Sequence, residues 1–145
     1  MKSHFGLTLL IVAASTANLL AAGAAKVLPP AVERFSSIDV EEVPDFRRHM
    51  VPLLGKLGCN SRACHGSFQG QGGFRLSLFG YDFTMDHEGL ADRVDSEDPT
   101  GSYAIQKALL EEPHKGGKRF DKNSWEYNLF VRWIAGGAET IDVEK

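Results

Sequence analysis

The chain has 145 residues, with 16 Lys and Arg against 19 Asp and Glu and a formal net charge of −3. This mild acidity, with both signs mixed along the chain, gives no electrostatic footing for nucleic acid or an anionic membrane surface. Fifteen glycines and six prolines indicate a loop-rich domain with a limited hydrocarbon core, which needs a disulfide, a metal or a large cofactor for stability.

Residues 1–24 read as a secretory signal peptide. Lys2 supplies the early positive charge, an apolar stretch starts at Phe5, and Ala22-Gly23-Ala24 fits the A-x-A cleavage pattern. A retained membrane anchor is the competing reading, but Ser15, Thr16 and Asn18 interrupt the apolar run. The expected product is exported to the periplasm or cell envelope, without stable membrane insertion after cleavage. It has about 120 residues, one domain's worth, and loses only Lys2 among its charges.

Residues 25–42 read as an extended lead with little periodicity, carrying Pro29-Pro30 and Ser36-Ser37, and residues 43–140 as the folded domain. Phe46, Met50, Leu53, Leu54 and Leu57 recur at helical spacing, with Asp45 as N-cap and Pro52 as a kink or interruption. After a segment with two cysteines comes a turn-rich Gly66–Gly73. Phe74, Leu76 and Leu78 then alternate with Arg75 and Ser77, which predicts a short strand. Helices are expected near Met85–Arg93 and Gly101–Glu112, and a glycine-broken loop over Pro113–Phe120. The last helix carries the broad apolar face of Trp125, Leu129, Phe130, Trp133 and Ile134; Asn123 or Ser124 caps it and Gly136-Gly137 ends it.

The chemistry lies in Cys59-Asn60-Ser61-Arg62-Ala63-Cys64-His65. Covalent haem attachment needs two thiols for the two vinyl groups and an imidazole directly after the second thiol. The usual spacing is C-x-x-C-H. Here the Cys-His pair is intact but four residues separate the cysteines, so the loop must bulge outward for both sulfurs to reach one edge of a macrocycle. Three readings compete on spacing alone. The cysteines could form a disulfide, bind zinc together with His65 and His114, or act as a redox dithiol, although C-x4-C lacks the tight geometry that lowers a thiol pKa.

The stretches Val43–Leu54 and Leu57–Asp82, continued by Pro113–Phe120 and Trp125–Ala138, resemble the planctomycete-type cytochrome c domain, which often leads a larger secreted protein. The resemblance implies a mainly α fold, a small cytochrome c-like domain of three to five helices around one covalent haem c. The short β segment would follow the haem motif. The family's C-x4-C-H site falls on Cys59, Cys64 and His65, with His65 as proximal ligand.

An electron carrier usually has a second axial ligand, and His114 is favoured. Pro113 stiffens its approach, Gly116-Gly117 lets backbone come close, and the resemblance makes His-x-Gly-Gly a fixed feature of the fold. Met85 is the rival; His87 and His49 read as surface histidines and Met50 as core. A histidine pair implies a lower potential than a histidine–methionine pair. Arg62, Lys118 and Arg119 are candidate propionate partners, against solvated loop residues. Trp125 and Trp133 would pack the haem edge or the core, and Phe74, Leu76, Phe79 and Phe120 would wall the pocket. The expected function is a one-electron carrier serving a redox partner protein, not an enzyme. A haem-based ligand sensor and a haem-free disulfide-stapled interaction domain are the alternatives.

Overall fold

A computed structural model describes residues 27–139; the expected signal peptide lies outside them. The described chain is mainly helical. Its α-helices are α1 (Ala31–Arg34), α2 (Val51–Lys56), α3 (Phe83–Ala91), α4 (Tyr103–Leu109) and α5 (Trp125–Ala135). A π-helical turn, Phe46–Met50, runs directly into α2, and a 3-10 turn, Leu78–Gly80, precedes α3. None of the described helices is long and apolar enough to cross a membrane.

The aromatic periodicity of α5 makes it the pillar of the core. Ser124 caps it by accepting from the Tyr127 amide, and Tyr127, Leu129, Phe130, Val131, Trp133 and Ile134 are all buried. Trp133 packs against Phe46 of the π-helical turn at a centroid distance of 5.5 Å, and Phe130 against Phe120 at 6.3 Å. Asp45 caps the π-helical turn through the Arg48 amide. Pro52 stands in the first turn of α2, directly after the π-helical turn, where its missing N–H interrupts the ladder between the two. The wide turn and the proline together shift the helix register while leaving Phe46, Met50, Leu53 and Leu54 inside.

Two expectations need correction. The lead is not simply extended: α1 is followed by Phe35, which is fully buried, and α5 holds the segment by side chains. Asn128 donates to the Phe35 carbonyl at 3.0 Å, and Arg132 donates to the Val40 and Glu41 carbonyls. The predicted strand over Phe74–Phe79 does not form either. Leu76 and Ser77 are buried, but among the described residues no second strand lies alongside, and the local pairing is one isolated bridge between Gln71 and Phe74. The amides of this segment are satisfied elsewhere: Leu76 donates to the His65 carbonyl at 2.8 Å, and Ser77 to the Asp86 carboxylate of α3.

Candidate functional site

The first thiol is placed by the way α2 ends. Gly58 adopts a left-handed φ of 75°, the Gly58 amide donates to the Gly55 carbonyl, and the Cys59 amide donates back to the Leu54 carbonyl at 2.9 Å. This pair of bonds is a Schellman ending with Cys59 at its outer position. The following loop closes when the His65 amide donates to the Cys59 carbonyl at 2.9 Å and the Gly66 amide to Ser61 at 3.0 Å. Arg62 and Ala63 are left in the exposed outward bulge. A side chain at Gly66 would run into the Asn60 carbonyl, so the turn requires glycine there.

The His65 ring is oriented by the segment that failed to become a strand. Its Nδ1 donates to the Phe74 carbonyl at 3.1 Å, and the Phe74 ring lies 4.4 Å from it. Phe74 is in turn fixed by α3. The Arg93 guanidinium sits 4.6 Å above its ring, and Gly89 lets the helix approach the Arg75 carbonyl closely. Burial holds His65 below its ordinary pKa, and nearby His114 acts in the same direction. At neutral pH the ring is therefore uncharged, the form that ligates metals.

His114 sits in a self-closed turn after α4. The Gly117 amide donates to the His114 carbonyl at 2.9 Å, and His114 Nδ1 donates back to the Gly117 carbonyl at 2.8 Å. A Cβ on Gly116 would stand 2.9 Å from Cε1 and 3.1 Å from Nε2 of His114, so glycine keeps that end of the ring clear. Arg119 ties this turn to the end of α2, donating to the Leu57 carbonyl at 3.2 Å and to the Gly116 carbonyl.

These elements bring His65 and His114 together. Their rings are parallel to within 5°, with centroids 6.2 Å apart. The pair offers two imidazole donors from separate elements, the number that a six-coordinate haem iron takes from a protein. Both Nδ1 atoms are committed to carbonyls, which fixes the tautomers and leaves both Nε2 atoms as acceptors, the arrangement that accompanies metal-ligating histidine. The donor set thus fits a bis-imidazole haem iron.

Among the described residues, no three His, Cys, Asp or Glu side chains gather where they could hold one metal ion. The zinc reading needs such a gathering; a haem iron takes only the two imidazoles, with the thiols bonded to the porphyrin periphery. Cys59 and Cys64 are both unpaired thiols. Burial pushes the Cys59 thiol up to about 11, with Cys64 adding to the rise and Arg119 opposing it. This is the reverse of the lowered value that a redox dithiol uses.

The other candidates separate. Arg62 and Lys118 are exposed, and Lys118 pairs with Asp121 at 2.5 Å. Arg119 is half-buried with its guanidinium on two carbonyls. Trp125 lies at the start of α5 under the Lys56 ammonium, 5.3 Å from its ring centroid. Leu76, Phe120 and Trp133 are core residues, whereas Phe79, expected in a pocket wall, is exposed. Its left-handed backbone (φ 58°, ψ 21°) turns it outward.

Among the rival ligands, His87 is buried rather than on the surface, giving Nε2 to the Ala138 carbonyl at 2.8 Å and packing on Phe46 and Trp133. His49 is half-buried, its Nδ1 accepting from the Asp45 amide. Met50 is fully buried in the core, and Met85 is half-buried on α3. Sequence reasoning missed Asn60, which is 2% exposed and whose Nδ2 finds no partner. It also missed Arg93, whose donors reach the Gly89 and Gly73 carbonyls.

No family model matches the chain. No curated protein and no solved structure matches it either.

Proposed function

We propose that this chain is an exported monohaem c-type cytochrome that carries one electron at a time, in a small cytochrome c-like domain built around its cofactor. Cys59 and Cys64 would hold the haem by thioether bonds, His65 would be the proximal ligand and His114 the distal one. The observation that carries the reading is the parallel His65–His114 pair, 6.2 Å apart, with both Nδ1 atoms anchored on carbonyls. The resemblance of the C-x4-C-H segment to the planctomycete-type domain points the same way.

Haem would supply a one-electron Fe(III)/Fe(II) couple. The chain's own part is to present two neutral imidazoles at fixed separation, so that the ligand set is alike in both oxidation states. Phe74 packs on the proximal ring and its carbonyl keeps that ring from rotating. Two imidazoles predict a low reduction potential relative to histidine–methionine ligation. The redox partner is a protein that docks near this site.

The test is the intact mass of protein produced with a cytochrome c maturation system. Covalent haem adds about 616 Da, survives denaturation and stains in a denaturing gel. Colourless protein with an unmodified mass overturns the proposal. A mass lower by about 2 Da, the two hydrogens lost in a cysteine cross-link, identifies the disulfide-stapled alternative instead.

A further inference from the structure

We infer that Arg119 is the positioning residue that holds the distal-ligand turn against the haem-attachment segment. This rests on His114 being the distal ligand, as proposed above. The turn Pro113–Gly117 has internal bonds that fix the His114 ring relative to its own backbone, but those bonds say nothing about where the turn lies in the molecule. Its attachment comes from three contacts. Lys107 of α4 donates to the Pro113 carbonyl at 2.7 Å, and the Arg119 amide donates to the Ala108 carbonyl at 2.8 Å, so both ends of the loop are tied to α4.

Among the described residues, the Arg119 side chain is the one whose hydrogen bonds cross to the other half of the site. One terminal nitrogen donates to Gly116, two residues after His114; the other donates to Leu57, two residues before Cys59. A guanidinium suits this bridge because its donors are coplanar and fixed in relative direction, so two carbonyls held by it are fixed relative to each other. A lysine ammonium has three rotatable donors on one atom and does not fix the relative direction of two carbonyls. Gly116 makes room: a Cβ there would stand 2.9 Å from one Arg119 terminal nitrogen. The role differs from propionate pairing, for which the same residue was a candidate by sequence.

The experiment compares full-length, matured wild type with Arg119→Ala and Arg119→Lys. The covalent haem is expected to remain in both variants, because Cys59 and Cys64 are set by the ending of α2 and the loop closure. In Arg119→Ala the oxidised spectrum should change from low-spin to largely high-spin. Carbon monoxide binding to the ferrous form should accelerate at least tenfold, and, in the same chains made without haem, the nuclear Overhauser contact between the His65 and His114 rings, 6.2 Å apart between centroids, should be lost. Arg119→Lys should fall between the two. A wild-type spin state or a retained ring contact in Arg119→Ala overturns the assignment. If Arg119→Ala does not accumulate, Arg119→Lys carries the same comparison. Failure of the haem reading itself is distinguishable: wild type then has no haem stain, while the ring contact still reports whether the bridge holds the turn.

Discussion

His114 and His65 are prepared in the same way, each ring giving its Nδ1 proton to a backbone carbonyl, yet they depend on different neighbours. His65 leans on Phe74, nine residues on, while His114 is held by a turn of its own. His114→Ala is therefore expected to leave the haem attached and convert a six-coordinate low-spin spectrum to high spin; an unchanged absorption spectrum removes His114 as ligand. Cys64→Ala should leave at most one thioether, read from the absorption maximum of the alkaline pyridine adduct. His49 offers a pH test away from the proposed haem site. Burial lowers its pKa below 6.5, with the Arg34 charge acting in the same sense, while Glu42 and Asp45 oppose. As pH falls through 6.5 the unfolded chain takes up a proton that the folded chain resists, so stability drops; above 6.5 this contribution is absent. The urea midpoint should decline between pH 7.5 and 5.5, and His49→Gln should flatten the decline. An equal slope in the variant refutes the assignment. The C-x4-C-H segment stood out as a candidate because its three residues are close in sequence. His114 could be named beside it from Pro113, the two glycines and the resemblance, but the parallel setting of the two rings could not, since they meet across a long stretch of chain. The buried Asn60 and the bridge that Arg119 makes between the Leu57 and Gly116 carbonyls left no trace, because their surroundings are brought together by folding.

At the level of elements, helices could be read where periodicity and a cap agreed. Asp45 and Ser124 do cap the segments expected of them, and Gly136 stands at the end of α5. The strand misled because alternation reports which side chains are buried, not whether a neighbouring strand exists. Phe74–Ser77 is extended and half-buried, yet it bonds to His65 and to Asp86. The lead misled for the opposite reason: one buried aromatic leaves no periodic signature. Phe35 is fully enclosed, so Phe35→Ala should lower stability by about 3–5 kcal/mol. Denaturant unfolding monitored by tryptophan fluorescence checks this. A loss below about 1 kcal/mol would mean that the lead is only loosely applied to α5, because such small effects belong to surface substitutions.

For the whole molecule, α5 and the π-helical turn supply an aromatic core, and the candidate site sits where the end of α2, the loop Cys59–Ser77 and the turn after α4 converge. Axial ligation through His65 and His114 would join those parts in the native state alone, so matured protein should melt at a higher temperature than the same chain made without haem. Equal melting temperatures would mean that the two histidines do not share an iron. The mainly α architecture agrees with what the resemblance implies and with the helical periodicities. How the parts converge was hidden, because glycine contacts and guanidinium bridges have no one-dimensional pattern.

The closure of the Cys59 loop bears on how such a protein is made. The backbone bonds that shape the proximal half, from the Leu54 carbonyl to the Leu76 amide, join residues close in sequence, while the Arg119 bond to Leu57 and the Arg93 bond to Gly73 come from farther along the chain; short closures lose little chain entropy. The chain can therefore organise its thiols and first imidazole before α4 and α5 have folded. The pigment would then be stitched on early, and the second imidazole would arrive last, as a latch on an already coloured chain.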